Sequence, residues 1–264
     1  MYEAGVERLQ EMIDESSNIV FFGGAGVSTE SNIPDFRSAD GIYHQSYKYS
    51  PEEVVSHSFY EKHPKAFFEF YREKMMVLDA KPNAAHLKLA ELENAGKIKA
   101  VITQNIDGLH QAAGSQVVYE LHGSIHRNYC EKCGPLFSDG YVQEKTGDAA
   151  FRKKCGRFYD AGFVKAAEGV PVCSCGGRIK PDVVLYEEAL DGTIIEKAVR
   201  AISQADMLII GGTSLVVYPA AGFIDYFRGK YLVVINKSEM AKAVRANLSI
   251  SAPIGEILGR IKVK

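Results

Sequence analysis

The sequence predicts an α/β protein in which helices cover both faces of a parallel sheet. Five short apolar runs recur along the chain, and each ends at a polar or glycine-rich segment. Amphipathic helical patterns separate several of these runs. Near-continuous apolar strands that alternate with helices are typical of parallel sheets buried on both faces. Ligands bind beyond the carboxyl ends of the strands in such sheets, so the polar segments predict a binding site there.

The elements can be assigned in chain order. Residues 3–17 are predicted to form an amphipathic helix, because Val6, Leu9 and Ile13 recur at helical spacing among polar residues. The predicted strands cover residues 18–22, 100–103, 117–121, 207–210 and 232–235, and further helices are predicted at 83–95 and 194–204. This alternation indicates a doubly wound, Rossmann-like sheet.

Two segments interrupt the alternation. Residues 44–80 are rich in helix-forming and aromatic residues, which is typical of the core of a small helical module. Residues 124–179 contain all five cysteines and few long apolar runs. We therefore expect one large sheet domain, made of residues 1–43, 81–123 and 180–264, with the helical module and a smaller cysteine-bearing module inserted into it.

Length and composition exclude several classes of protein. At about 150 residues per domain, 264 residues make nearly two domains. A hydrophobic content of 46% with 24% charged residues excludes a disordered or collagen-like chain. Thirty-one basic and 33 acidic side chains give a net charge of −2, so no global basic field is available to bind nucleic acid.

The sequence predicts a cytoplasmic location. Its beginning lacks the basic and then apolar segments of a secretory signal. The most apolar stretches, residues 18–26 and 207–217, are shorter than the roughly 20 residues needed to span a bilayer. In a reducing compartment, clustered cysteines are metal ligands more often than disulfides.

Two closely spaced cysteine pairs predict a metal site. Cys130 and Cys133 are separated by two residues, and Cys173 and Cys175 by one. Four thiolates from two turns suit a closed, tetrahedral, structural Zn²⁺ site of the zinc-ribbon kind, with no position left for water. The fifth cysteine, Cys155, lies in a repeat of the Lys-Cys-Gly sequence around Cys133 and could replace Cys133 as a ligand.

A glycine-rich turn, residues 23–26, follows the first predicted strand. Glycines let the backbone approach a phosphate, and a purely structural tight turn is the alternative interpretation. The dinucleotide fingerprint is incomplete, because Thr29 stands where a third glycine is expected, but Arg37 could neutralise pyrophosphate charge. His122 ends a predicted strand at the same sheet edge, where an imidazole can serve as a general base.

Together these motifs resemble the sirtuin family of NAD-dependent protein-lysine deacylases. The resemblance covers nearly the whole chain in the order of the family, and several of its motifs are individually specific. It rests on the cysteine pairs and on five further stretches, at residues 24–37, 103–110, 120–123, 180–184 and 211–215.

The resemblance implies an activity and its ligands. The protein would be an NAD-dependent protein-lysine deacetylase that consumes NAD as a co-substrate and yields nicotinamide, deacylated lysine and O-acyl-ADP-ribose. The large sheet domain would bind NAD, and one structural Zn²⁺ would hold the smaller module. Its partners would be acylated lysines in proteins, while neither a membrane nor nucleic acid is indicated.

The resemblance also assigns roles to residues. His122 would be the general base on the ribose hydroxyls, Asn105 would position ribose and water, and Asp107 would bind the nicotinamide carboxamide. The residues that would bind NAD are Gly24, Ala25, Gly26, Ser28, Thr29, Asp35, Phe36, Arg37, Gln104, Asn105, Ile106, Asp107, Gly212, Thr213, Ser214, Asn236 and Lys237. The substrate would contact His122, Val183, Tyr71 and Lys74, and the preferred zinc ligands are Cys130, Cys133, Cys173 and Cys175.

Three positions depart from the family pattern. Asn32 stands in place of a Gly, and Asn also tolerates a left-handed backbone. Glu187 replaces a common Gly beside the acyl-lysine groove. The desuccinylating branch reads an acyl carboxylate with a Tyr and an Arg, whereas Lys74 follows Tyr71 here and lacks the bidentate fork of an Arg. Short neutral acyl groups such as acetyl are therefore expected.

Three other functions stay open on the residues alone. An NAD-dependent dehydrogenase with a structural zinc would need a site for a hydride-accepting substrate. A zinc-ribbon module that binds a protein or nucleic acid without catalysis would show no NAD turnover, and its DNA binding would depend on salt. An ADP-ribosyltransferase would leave the ADP-ribose of NAD on protein.

Overall fold

The computed structural model of this chain describes residues 2–36, 41–42, 47–132, 158–237 and 245–263. In chain order, the described strands are β1 (Ile19–Gly23), β2 (Ile98–Thr103), β3 (Val118–Glu120), β4 (Gly123–Cys130), β5 (Phe158–Tyr159), β6 (Ile179–Val183), β7 (Met207–Gly211), β8 (Tyr231–Ile235) and β9 (Leu248–Ile250). The described helices are α1 (Glu3–Glu15), α2 (Pro51–Val54), α3 (His57–Lys62), α4 (Pro64–Phe70), α5 (Ala84–Asn94), α6 (Leu109–Ala112), α7 (Ala161–Ala166), α8 (Gly192–Gln204) and α9 (Ile254–Leu258).

The strands form two sheets. Six strands make a parallel sheet in the order β3-β2-β1-β7-β8-β9, and three make an antiparallel sheet in the order β5-β4-β6. The chain therefore enters the large sheet at its centre with β1 and adds β2 and β3 toward one edge. It later adds β7, β8 and β9 toward the other edge. This is the strand order of a doubly wound, Rossmann-like sheet, with the small sheet inserted between its two halves.

The predicted fold class is confirmed, and so are its main elements. The helix predicted over residues 3–17 is α1, and the five predicted strands are β1, β2, β3, β7 and β8. The sequence analysis missed β9 at the edge of the sheet, because a run of three residues, Leu248–Ile250, has too few positions to show a period. It also missed the small sheet, whose strands pair through long-range contacts.

Each face of the large sheet packs in its own core. Neighbouring side chains of β1 point to opposite faces and show this. Phe21 is buried among residues of α1 and α5, including Leu9 and Leu89. Phe22, which points to the opposite face, is buried among residues of α8 such as Ile202. Buried apolar side chains on both faces explain why these strands read as continuous apolar runs.

A third core joins the two insertions. Aromatic side chains of α3 and α4, including Tyr60 and Phe67, cluster with apolar residues of the small sheet such as Ile179. Aromatic rings in this cluster meet edge to face, for example Tyr60 and Phe67 with centroids 5.0 Å apart. The helical module and the small sheet thus bury one shared core, so neither insertion packs alone.

Among the described residues, no helix is long and apolar enough to cross a membrane.

Two buried histidines pack against each other with their rings tilted by 60°. The rings of His86 and His110 lie 4.7 Å apart, and both side chains are fully buried. His86 Nδ1 accepts a hydrogen bond from the backbone N–H of Asn83 in the capping box of α5. Burial lowers the pKa of His86 to about 4, and burial with the neighbouring His86 lowers the pKa of His110 to about 3. Both rings are therefore neutral at pH 7.

Acidification should destabilise the protein through this pair. The unfolded imidazoles have a pKa of about 6.5, so the unfolded chain binds protons first as the pH falls. The free energy of unfolding therefore has its full value above about pH 6.5 and decreases as the pH falls toward 4. By pH 5 the decrease should be on the order of 2 kcal/mol per histidine. Urea unfolding followed by circular dichroism at pH 7.5 and 5.0 measures this loss.

The matched comparison is between His86→Gln/His110→Gln and His63→Gln, because His63 is exposed. The double variant should lose much less stability between the two pH values than the wild type, whereas His63→Gln should follow the wild type. An unchanged pH dependence in the double variant would contradict the assignment.

Candidate active site

Four strands of the large sheet end level with one another. Gly23 at the end of β1 pairs with Thr103 of β2 and with Gly211 of β7, and Gly211 pairs with Ile235 of β8. A cleft of about 700 Å³ opens beyond this edge. The polar segments that follow the strands are therefore brought together, as the sequence predicted.

Two glycine-rich turns meet back to back at the floor of the cleft. The N–H of Gly26 donates to the carbonyl of Gly212 over 2.8 Å. A Cβ at Gly26 would lie 2.8 Å from Gly212 Cα, and Gly212 has a φ of +58°. Because neither position accommodates a side chain, the backbone itself forms this part of the cleft.

A chain of hydrogen bonds connects Ser28, Asn105 and Asp107. Asn105 Nδ2 donates to Ser28 Oγ over 3.0 Å, and Ser28 Oγ donates to Asp107 Oδ2 over 2.6 Å. The other oxygen of Asp107 accepts from the N–H of Leu109 over 2.9 Å. Burial raises the pKa of Asp107, although the bond from Ser28 opposes that rise. These bonds fix three polar side chains from two loops in one orientation.

His122 is poised as a base at the centre of the cleft. Its Nδ1 lies 3.0 Å from the carbonyl oxygen of Gln104. A carbonyl can only accept, so Nδ1 carries the proton and Nε2 is the basic nitrogen of the neutral ring. Burial lowers the pKa of His122, whereas the bond to Gln104 opposes that effect. The side chain is therefore neutral and able to take up a proton at pH 7.

Arg127 of β4 connects β3 of the large sheet with β6 of the small sheet. Its Nε donates to Asp182 over 2.8 Å and its NH1 donates to Glu120 over 2.6 Å. Only 7% of the Glu120 side chain and 11% of the Asp182 side chain are exposed. One guanidinium thus holds two nearly buried carboxylates, one from each sheet.

Residues 183–188 form a wall of the cleft. The backbone of Tyr186 pairs with the start of α3 and the segment before it. Its N–H donates to the carbonyl of Val55 over 3.0 Å, and its carbonyl accepts from the N–H of His57 over 2.9 Å.

Lys74 also lines the cleft, where its ammonium pairs with the carboxylate of Glu73 at 2.9 Å.

Three thiols converge at the far end of the small sheet. The Sγ atoms of Cys130, Cys173 and Cys175 lie within 4.8 Å of one another, and those of Cys130 and Cys175 are 3.4 Å apart. Ligands at the Zn–S distance in a tetrahedron lie about 3.8 Å apart, so the cluster fits a structural Zn²⁺. The fourth predicted ligand, Cys133, and its alternative, Cys155, lie outside the described residues.

The cleft collects nearly all the predicted site residues. Those that line it are Ala25, Gly26, Ser28, Thr29, Asp35, Phe36, Lys74, Gln104, Asn105, Ile106, Asp107, His122, Val183, Gly212, Thr213, Ser214, Asn236 and Lys237. Gly24 lies behind the lining, at the end of β1, and Arg37 lies outside the described residues. Tyr71 is fully buried in the shared core, away from the lining.

Two groups that contribute to the site were missed by the sequence analysis. Arg127 carries no local signal, because it bonds to two other strands, at Glu120 of β3 and at Asp182 of β6, which is 55 residues away in sequence. Leu185 and Tyr186 line the cleft next to the predicted Val183. Their position directly after the stretch at 180–184 was the signal that could have identified them.

Comparisons with known proteins agree with this geometry. A family model described as the Sir2 family matches residues 24–219. The chain is 56% identical over 256 residues to an NAD-dependent protein deacetylase of Clostridium acetobutylicum, with 96% of each chain covered.

Two solved structures are also similar to this chain. One is a Sir2 structure with a deacetylated p53 peptide and 3′-O-acetyl ADP ribose, which is 35% identical with a TM-score of 0.81 over 96% of this chain and 95% of that chain. Another, of Sir2 with a p53 peptide and NAD⁺, is 35% identical with a TM-score of 0.78 over 97% and 96% of the two chains.

Removal of the Arg127 guanidinium should destabilise the fold by about 3 kcal/mol, because it leaves two buried carboxylates uncompensated. Arg127→Met tests this in urea unfolding at pH 7.5. Arg260→Met is the matched control, since Arg260 also contacts two carboxylates, those of Glu3 and Glu256, but at the surface. Its loss should cost less than about 1 kcal/mol, and equal losses in the two variants would contradict the role of burial.

Zinc content should depend on the converging thiols. Cys130→Ala, Cys173→Ala and Cys175→Ala should each lose zinc, because three thiolates remain at most. Metal analysis of the purified variants measures this, and Cys133→Ala should behave in the same way while Cys155→Ala retains zinc. If Cys133→Ala retains zinc and Cys155→Ala loses it, the preferred ligand set is wrong.

Proposed function

The chain belongs to the Sir2 family, and we propose that the cleft at its sheet edge is the active site of an NAD-dependent protein-lysine deacetylase. The reaction consumes NAD and yields nicotinamide, deacylated lysine and O-acyl-ADP-ribose. The observation that carries this proposal is the half-buried imidazole of His122, which lines the cleft and whose Nδ1 is held by the carbonyl of Gln104.

The residues of the cleft suit NAD. The turn at Ala25 and Gly26 would lie against the phosphates, because both residues line the cleft and neither carries a long side chain. Thr213, Ser214 and Asn236 would hold the adenosine half at the ends of β7 and β8. When bound, NAD supplies a ribose carbon that carries nicotinamide as a leaving group.

The bonded chain at the centre of the cleft would orient the reacting groups. Asp107 presents a carboxylate fixed by Ser28 and by the N–H of Leu109, which suits the N–H groups of a carboxamide. Asn105 is fixed through Ser28 and would position the ribose and a water molecule. Side chains held this firmly contribute to catalysis through positioning.

His122 would move the proton. Its Nε2 accepts a proton from a ribose hydroxyl, while Nδ1–H stays bonded to the carbonyl of Gln104. That bond stabilises the resulting imidazolium without moving the ring. Once the acyl oxygen has displaced nicotinamide from the ribose, the deprotonated hydroxyl would add to the acyl carbon, and water would then release the free lysine and O-acyl-ADP-ribose.

The substrate side of the cleft suits an acyl-lysine. Val183, Leu185 and Ile106 form apolar walls for the aliphatic chain. Lys74 presents a single ammonium, already paired with Glu73, so it cannot read an acyl carboxylate bidentately. We therefore propose that the preferred substrates carry short neutral acyl groups, above all acetyl. Tyr71 would support this wall from the core, where it clusters with Val183 and Leu185.

The zinc module would be structural. Cys130, Cys173 and Cys175 converge, and with Cys133 as the fourth ligand they would complete a closed tetrahedron that has no position for water. We propose the division expected from sequence: a NAD-binding domain at 1–43, 81–123 and 180–264, a helical module at 44–80, and a zinc ribbon at 124–179. The boundary at 180 then moves to the end of β6, because Ile179–Val183 pairs in the small sheet. The described cysteines are thiols, which supports a reducing, cytoplasmic setting.

His122→Ala should abolish NAD-dependent deacetylation, with a loss of about 100-fold or more, because the general base is removed. The assay incubates the protein with NAD and peptides that carry acetyl-, longer acyl- or succinyl-lysine, and identifies every product by mass. In the wild type, the acid limb of kcat/KM should have its midpoint below about 6.5, since burial lowers the pKa of His122.

His63→Ala is the control, because His63 is exposed and away from the cleft. The variant at His122 should keep its zinc and its unfolding midpoint, which separates loss of the base from loss of the fold. Undiminished deacetylation in His122→Ala would contradict the proposed base. Labelled ADP-ribose found on protein would instead indicate ADP-ribosyl transfer.

A further inference from the structure

Glu187 ties the substrate wall of the cleft to α3. Its Oε2 accepts the backbone N–H of Ser58 over 2.8 Å, and its Oε1 accepts the hydroxyl of Ser58 over 3.0 Å. Both oxygens are therefore used at the first turn of α3, where a negative charge is also favoured. We call these two bonds between Glu187 and Ser58 the tie. The tie lies next to the backbone hydrogen bonds of Tyr186 with Val55 and His57, and it extends that contact by one residue.

The backbone of Glu187 is in a conformation that a glutamate rarely adopts. Its φ is +76°, within the left-handed region that favours glycine. Among the described residues, only Asn32 and Leu215 share this property without being glycine. A strained backbone persists only where surrounding contacts hold it, so the two bonds to Ser58 stabilise a turn that the side chain itself disfavours.

The neighbouring Glu188 fixes a different part of the wall. Its Oε2 accepts from the N–H of Leu185 over 2.9 Å and from Lys180 over 3.2 Å, and its Oε1 lies 2.8 Å from His57 Nδ1. Glu188 thus secures the inner end of the wall, next to β6. Glu187 secures residues 186–187, here called the outer end of the wall, against α3, and both glutamates line the cleft.

We propose that Glu187 is a positioning residue for the acyl-lysine substrate, and this inference rests on the proposed function. By holding the outer end of the wall against α3, the carboxylate sets the width of the substrate side of the cleft before a peptide binds. Without the tie, the peptide must order the wall as it binds, so its affinity falls. His122 and Asn105 lie on other elements, so the chemical step and NAD binding are unaffected.

The test compares Glu187→Ala, Ser58→Ala and the double variant with the wild type, using acetyl-lysine peptide at saturating NAD. Alanine keeps the backbone strain at position 187 and removes only the carboxylate. The peptide KM should rise about tenfold in Glu187→Ala, because two charge-assisted bonds are lost. Ser58→Ala, which keeps the backbone N–H, should show a smaller rise, and the double variant should match Glu187→Ala.

Further variants separate positioning from stability. Glu187→Gln keeps one acceptor and should restore most of the peptide affinity. Glu187→Gly relieves the backbone strain, so it should melt at a higher temperature than Glu187→Ala and yet keep the raised peptide KM. Ser203→Ala, which removes a hydroxyl bonded to Arg200 on α8, is the matched serine control and should equal the wild type.

Amide hydrogen exchange supplies a readout that does not require turnover. The N–H of Tyr186 should lose protection in Glu187→Ala and keep it in Ser203→Ala. If the peptide KM of Glu187→Ala equals that of the wild type, or the KM for NAD rises in parallel, the inference is overturned. A third outcome is that Tyr186 loses protection in Glu187→Ala although the wild type deacetylates no peptide. The tie then exists, but the proposed function has failed, and the role of Glu187 in substrate positioning is overturned with it.

Discussion

The two sheets of this protein meet across a junction only two residues long. β3 ends at Glu120 and β4 begins at Gly123, and His122 lies between them. Gly123 has a φ of +74°, and a Cβ there would lie 2.0 Å from the carbonyl oxygen of Asp182. The chain can turn from one sheet into the other only because this position is glycine. The guanidinium of Arg127 then holds the carboxylates from both sides, so the position of the imidazole follows from the packing of the sheets.

Burial acts on three groups of the molecule with different consequences. His110 is buried without a hydrogen-bond partner for either ring nitrogen among the described residues, which suits a structural ring. The ring of His122 is half-buried and partly desolvated, but its Nδ1 has a carbonyl partner, so protonation at Nε2 yields a stabilised cation. Asp107 keeps its hydrogen bonds to fixed donors. The partner, rather than the depth of burial, determines which of these groups can take part in chemistry.

The sequence predicted the large sheet because each strand carries its own apolar run and each polar segment follows directly in the chain. It predicted the three described zinc thiols for the same reason, since spacing is local information. It could not predict Arg127 with Glu120 and Asp182, whose contacts join positions up to 55 residues apart. Tyr71 illustrates the opposite limit. A motif placed it beside Lys74, but residues 71–75 form a π-helical turn, and Tyr71 lies in the core whereas Lys74 lines the cleft.

The pairing of β4 with β5 has a consequence for how this family of chains can change. Tyr129 pairs with Phe158, so the ladder closes the intervening segment at its base. Once closed in this way, lengthening a segment adds only about 0.6 kcal/mol of chain entropy for each doubling. A duplication such as the repeated Lys-Cys-Gly sequence can therefore enter between these strands without shifting the register of the large sheet. The segment between these two strands is free to change in length while the catalytic edge of the large sheet stays unchanged.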